Sequence, residues 1–134
     1  MKTTEFWNYA KETDYIFAHC TFLEEFYHLT NDQQRIESIQ EEPDIDIDPS
    51  VIKNDDTFSI TEIQASVAAM AHRLAVENNL PVPKWVNKKR YFLPNPVYQF
   101  HTENPEYQNY LKMKAFPEYR LRNLFYDDNT LKRA

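Results

Sequence analysis

A chain of 134 residues with 42% hydrophobic and 15% aromatic side chains has material for one domain-sized core. Its complete lack of glycine excludes glycine-rich phosphate loops and the tight hairpins that favour that residue. The net charge of −6 conceals an asymmetry: residues 1–66 carry fifteen acidic against four basic side chains, and residues 67–134 six against eleven, so the halves attract each other or each attracts a partner.

The single cysteine, Cys20, cannot form an internal disulfide, and the N-terminus lacks the apolar run of a signal peptide. No stretch approaches the roughly 18–20 apolar residues of a membrane span. A cytoplasmic protein is the expectation.

From about Thr4 to Leu29, Phe6, Ala10, Phe17, Cys20, Leu23 and Tyr27 recur at helical spacing and predict a buried stripe, with Phe22 and Phe26 on a neighbouring face. Thr13 and Asp14 are placed to break this segment and cap a second helix. Thr30 with Gln33 matches a capping box and predicts a short helix over 31–41, with Ile36 and Ile39 inward and Pro43 ending it. Residues 43–58, two prolines among alternating acids and isoleucines, read as the long loop.

Ser59 and Glu62 form a second capping box ahead of an alanine-rich helix whose apolar face is Ile63, Val67, Met70, Ala71 and Leu74. Asn78 and Asn79 stand where a C-terminal glycine cap would. Residues 81–102, punctuated by proline and rich in rings, predict a packed irregular connection. Asn104-Pro105-Glu106 then opens a helix to about Ala115, Pro117-Glu118 opens a helical turn, and Asp127 or Asp128 caps a last one. These elements make a single-domain all-α bundle of about five helices. Its core is expected to include Phe17, Leu23, Val67, Met70, Leu74 and Phe125, with Tyr119, Phe125 and Leu131 folded back on the helix at 60–78.

Few of the chemical groupings are specific. Asp44, Asp46 and Asp48 copy the start of a calcium loop, but Pro49 takes the glycine position and Asp55 the place of the bidentate glutamate. His19, Cys20, Glu24 and His28 lack zinc-site spacing, and Cys20 belongs to the apolar stripe. His72 and His101 read as structural imidazoles. No catalytic residue, metal or cofactor is expected.

The basic half offers the better candidate. Lys84, Lys88, Lys89 and Arg90 form one cluster, and Arg120, Arg122, Lys132 and Arg133 another, with Trp85, Tyr91 and Tyr119 interleaved. Trp, Tyr and Arg anchor protein interfaces, so Trp85, Lys88, Lys89, Arg90, Tyr91, Arg120 and Arg122 are the expected contacts to a protein partner. One of Arg120 and Arg122 is expected to pair with Glu24 or Glu25, leaving the other for the partner. The same pattern suits single-stranded nucleic acid, although a pI near 5.2 argues against a dedicated nucleic-acid binder.

The tail, with Pro117, Tyr119, Arg120, Arg122, Asn123, Leu124 and Phe125 followed by Asn129, Leu131, Arg133 and Ala134, resembles the C-terminal signature of an uncharacterised bacterial all-helical family. FLEEFYHL at 22–29, EEP at 41–43, LAVENNLPVPKW and LPNP are similar in order. The resemblance implies an antitoxin-like or regulatory partner of a nucleotidyltransferase-like protein, because such sequences are often encoded beside such genes. It implies no catalytic residues. A non-enzymatic protein-binding module is therefore the first expectation. A nucleic-acid-associated protein or a self-assembling helical protein is the alternative, and a deep polar pocket holding His72 or His101 with carboxylates would be the sign of an enzyme.

Overall fold

The helix Ile60–Glu77 (here α4; elements are numbered in chain order) has little solvent-facing surface, and its composition explains why. Ala65, Ala68, Ala69, Ala71 and Ala75 are buried beside Ile63, Val67, Met70 and Leu74, and their small side chains let neighbours approach from several directions. Around it, a computed structural model that describes residues 1–43, 52 and 58–132 arranges α1 (Thr3–Glu12), α2 (Tyr15–Tyr27), α3 (Asp32–Ile39), α5 (Pro105–Lys114) and the single turn α6 (Pro117–Arg120). The chain is an all-α single domain, 65% helical, with five substantial helices among the described residues. Residues Asp44, Asp46, Asp48 and Asp55, most of the loop at 43–58, and Arg133 and Ala134 lie outside the described residues.

Several starts follow their caps. Asp14 accepts a hydrogen bond from the Phe17 N–H at 2.7 Å and divides the first segment into α1 and α2, which pack on each other. Asn104 accepts from the Tyr107 N–H at 3.1 Å, with Pro105 in the first helical position of α5. Asp127 accepts from the Asn129 N–H at 3.0 Å, opening a 3₁₀ turn over Asp128–Leu131. Asn79 closes α4 at φ 54°: its N–H reaches Val76 O at 3.3 Å, and the Leu80 N–H reaches Ala75 O at 2.8 Å. This is the doubly bonded C-terminal turn that glycine usually supplies.

Three expectations need correction. The break at Thr13–Asp14 resets the helical phase, so the stripe does not run on. The buried residues of α2 are Tyr15, Ala18, His19, Phe22, Leu23 and Phe26, and Phe17 is turned out, 52% exposed, stacking on Tyr9. The cap of α3 is Asn31 rather than Thr30: the Asn31 side chain accepts from the Gln34 N–H at 2.9 Å, while the Gln34 side-chain oxygen Oε1 accepts from the Thr30 N–H. Only half of the Ser59–Glu62 box forms. Ser59 accepts from the Glu62 N–H, but the Glu62 side chain is turned into the protein, where Tyr126 and His101 use it.

The sequence also gives no warning of a two-residue parallel pairing, Val97–Tyr98 (β1) with Leu124–Phe125 (β2). It fastens the irregular connection to the tail, with Tyr98 stacked on a half-buried Phe125. Leu23, Val67, Met70, Leu74, Tyr119 and Leu131 are buried, and α6 and β2 lie against α4.

Arg122 joins these parts. Its side chain is 0% exposed, with Nη1 donating to Glu118 O at 2.7 Å and Nη2 to Val86 O at 2.7 Å. Nη1 also lies 3.2 Å from His72 Nδ1, and the guanidinium covers the Phe92 ring at 4.8 Å. Burial pushes its pKa down to about 10, against the opposing influence of Glu118, so the group stays charged at neutral pH. Removing it leaves two buried carbonyls without donors. Arg122→Ala is expected to lower unfolding free energy by roughly 3–5 kcal/mol. Arg122→Lys, which keeps the charge and loses the planar fork, should lie between the two in urea midpoint.

Candidate functional site

Residues 81–93 build the site from the backbone outward. Pro81 and Pro83 prevent α4 from continuing, and two short 3₁₀ turns follow, Lys84–Asn87 and Lys89–Tyr91. Each turn sends one large side chain inward: Trp85 is buried and donates its indole N–H to Ile39 O at 2.9 Å, and Tyr91 packs edge-on against it at 5.4 Å. Val86 is buried between them and its carbonyl receives Arg122. The polar residues of the same turns, Lys84, Lys88, Lys89 and Arg90, are consequently turned to solvent.

Between these turns and α3 lies a groove of about 410 Å³. Ile36, Pro81, Val82 and Pro83 give it apolar walls, with an edge of Trp85 beneath and Gln40, Glu42 and Lys84 at its margin. Val82 is exposed. Lys84 and Lys89 make no ion pair among the described residues, whereas Lys88 Nζ meets Glu42 Oε1 at 2.7 Å. The other Glu42 oxygen accepts the Tyr91 hydroxyl at 2.7 Å. Partial burial raises the Glu42 pKa, but hydrogen bonds from Lys88 and Tyr91 and the charges of Lys88 and Arg90 outweigh it and hold the carboxyl below its ordinary value.

Of the expected contact residues, the structure brings Trp85, Lys88, Lys89, Arg90 and Tyr91 together along this ridge. Trp85 and Tyr91 are its foundation rather than projecting anchors, because each satisfies its polar atom inside the protein. Arg122 is fully buried and not available to a partner, and neither Glu24 nor Glu25 meets it; Glu25 pairs with the N-terminal amine at 3.3 Å. Arg120 is exposed on α6, in another part of the chain. Composition marks a basic, aromatic stretch but does not say which side of a 3₁₀ turn each side chain takes. Helical spacing turned Ile36 inward but did not say that it would face residues 81–83, since that wall arises from the meeting of segments far apart in the chain.

A second polar assembly was not legible at all. Glu62, 1% exposed, accepts a short hydrogen bond from the Tyr126 hydroxyl and lies 2.8 Å from His101 Nε2. His101 reaches it through an unusual backbone: Phe100 and His101 are both left-handed, at φ 59° and 51°. Such non-glycine conformations cost roughly 1–2 kcal/mol each. His72, the other histidine singled out, is half-buried beside Arg122; burial and the Arg122 charge hold its pKa down, with Glu118 opposing. A histidine–carboxylate contact is present at His101, yet its imidazole stands at the surface with 51% of the side chain exposed. Among the described residues no group of three or more His, Cys, Asp or Glu side chains is placed to hold a metal ion. No helix of the described residues is long and apolar enough to cross a membrane.

Comparison with known proteins adds no relative: no family model, curated protein or solved structure matches the chain.

The Glu42 cluster has a pH signature. Its folded pKa lies below the unfolded value, so its contribution to stability is complete above the ordinary glutamate range and is lost as pH falls below 4.5 through the depressed value. The difference in urea midpoint between the natural chain and Glu42→Gln is expected to be widest near neutrality and to close in acid. A gap that stays constant down to the acid limit would separate Glu42 from this titration.

Proposed function

We propose that the chain is a non-enzymatic protein-binding module that receives an acidic segment of another protein in the groove between α3 and residues 81–85. The observation that carries this reading is an apolar groove of about 410 Å³ with Lys84 at its margin, next in the chain to an exposed basic run, Lys88, Lys89 and Arg90, on turns held in place by buried side chains. A partner's apolar side chain would fill the groove against Val82 and Trp85, and its carboxylates would meet Lys84, Lys89 and Arg90. Pre-organisation favours this use: the turns are already fixed by the Trp85 and Tyr91 hydrogen bonds, so little ordering entropy remains to oppose binding. Positive charge beside a groove speeds encounter and selects against basic partners more than it adds affinity.

The resemblance of the tail motivates the choice of partner to test, a nucleotidyltransferase-like protein of the kind often encoded beside the sequences it resembles. The chain is co-expressed with its neighbouring genes and recovered with whatever it holds, after nuclease treatment, and the captured protein is then tested as a purified pair. One stoichiometric protein is expected. Its affinity should fall at least tenfold with Lys84→Glu/Lys89→Glu/Arg90→Glu and with Val82→Asp, and should be unchanged by Lys112→Glu/Lys114→Glu on α5. These are surface changes, so melting temperatures should stay close to that of the natural chain. Binding indifferent to the groove variants would overturn the assignment, and capture lost on nuclease treatment with a steep salt dependence would point to nucleic acid instead.

A further inference from the structure

On another part of the molecule, α2, α4, α6 and the tail leave an open cavity of about 230 Å³ between them. Its walls are largely aromatic, with Tyr15, Phe58, Tyr119 and Tyr126 among them, and Ile16 of α2 is exposed at its rim. Phe100 belongs to the same rim but stands out into solvent, 70% exposed. Two unfavourable features coincide there. The ring lies in water, and the backbone that presents it is left-handed, at φ 59° for Phe100 and 51° for His101. The ring is kept from relaxing into its own cavity because its backbone is tied on both sides. β1 pairs with β2 just before it, the Gln99 side chain accepts from the Asp127 N–H at 2.8 Å, and His101 meets Glu62 at 2.8 Å.

We propose that this face is the interface of a symmetric dimer, in which Phe100 of each copy fills the cavity of the other. Self-complementarity is what commits the face to a second copy. Ring and opening lie side by side on one face, so a twofold axis crossing between them sets each ring on the other copy's opening, the isologous arrangement of closed dimers. The size fits, since a dry cavity of roughly 150 Å³ already accommodates benzene. Aromatic walls favour a ring through offset or edge-on packing. A twofold contact also brings like charges together, and here it meets few: no carboxylate, lysine or arginine lines the cavity, and His19, which does, is recessed at 8% exposed. The strained backbone then has a use, because it holds the ring outward in the position a partner copy receives. The face is separate from the groove at α3, and the dimer does not depend on the protein-binding reading.

The test is sedimentation of the full chain from micromolar to millimolar concentration, joined to isotope-filtered NOE spectra of an equal mixture of labelled and unlabelled chain. A monomer–dimer equilibrium is expected, with contacts from the Phe100 ring of one copy to Tyr15 or Tyr126 of the other. Two variants probe the two sides of the contact. Phe100→Gly removes the ring at a left-handed position that suits glycine, and Ile16→Glu places a carboxylate at the rim, in the first turn of α2. Each should weaken dimerisation at least tenfold while the melting temperature of the monomer stays close to that of the natural chain. Lys84→Glu/Lys89→Glu/Arg90→Glu, on the other face, should dimerise like the natural chain. A monomer at every concentration, a dimer indifferent to both rim variants, or Phe100 contacts that arise only within one copy would each overturn the proposal. The NOE measurement on the natural chain decides the matter even if a variant fails to fold.

Discussion

A buried guanidinium that makes no ion pair among the described residues is the constraint on which the rest of this molecule depends. Arg122 satisfies its charge with neutral acceptors, the carbonyls of Glu118 and Val86, and with the face of Phe92. The Glu118 carboxylate is directed to Arg73 instead, at 3.5 Å. A cation can be kept in such a place only if its acceptors are rigidly aimed, since water is absent and the desolvation cost is large. The consequence is mutual. One carbonyl lies 4 residues before Arg122 and the other 36 residues before it, so the charge fixes the turns at 84–91 onto α6. The Leu93 N–H donating to Arg122 O at 3.3 Å adds a backbone tie in the same place.

A glycine-free chain must still turn corners, and the four left-handed residues show two solutions. Asn79 and Asn123 adopt the conformation where asparagine tolerates it, one ending α4 and the other placing its side-chain amide on Leu93 O at 2.7 Å. Phe100 and His101 have no such excuse in their side chains. Their conformation is held by what surrounds it, the β1–β2 pairing just before and the His101–Glu62 contact after. Strain of this kind persists where neighbouring structure over-determines it, and here it leaves an aromatic ring standing at the margin of a cavity.

How much was legible follows from the range of each interaction. The starts of α2, α4 and α5 and the end of α4 are local events, written in Asp14, Ser59, Asn104 and Asn79, and they could be read from a few residues. The phase of α2 could not, because two residues without helical geometry, Thr13 and Asp14, rotate every later side chain, and Phe17 was expected inside on an unbroken stripe. Trp85, Tyr91 and Arg122 were marked as notable, but their role depends on acceptors at Ile39, Glu42 and Val86 that no periodicity connects to them. The Glu62–Tyr126–His101 assembly was invisible for the same reason, its members meeting across intervals of 64 and 39 residues.

The charge asymmetry of the sequence acquires a more limited meaning in the folded molecule. Lys88 with Glu42 and His101 with Glu62 join the basic half to the acidic half, but Arg35–Asp32, Arg73–Glu77 and Arg73–Glu118 are each contained within one half. Isolated pairs with at least one solvent-facing partner stabilise little, so attraction between the halves contributes only modestly to the fold. The larger part falls to the apolar contacts of α4 and to buried hydrogen bonds at Trp85, Arg122 and Tyr126. Among the described residues, Lys84 and Lys89 are neither buried nor ion-paired, so the described fold draws no stability from their charges. The rigid turn holds Lys84 at the edge of an apolar groove while its charge contributes nothing to the fold, which is the condition under which its position is free to answer to something outside the chain.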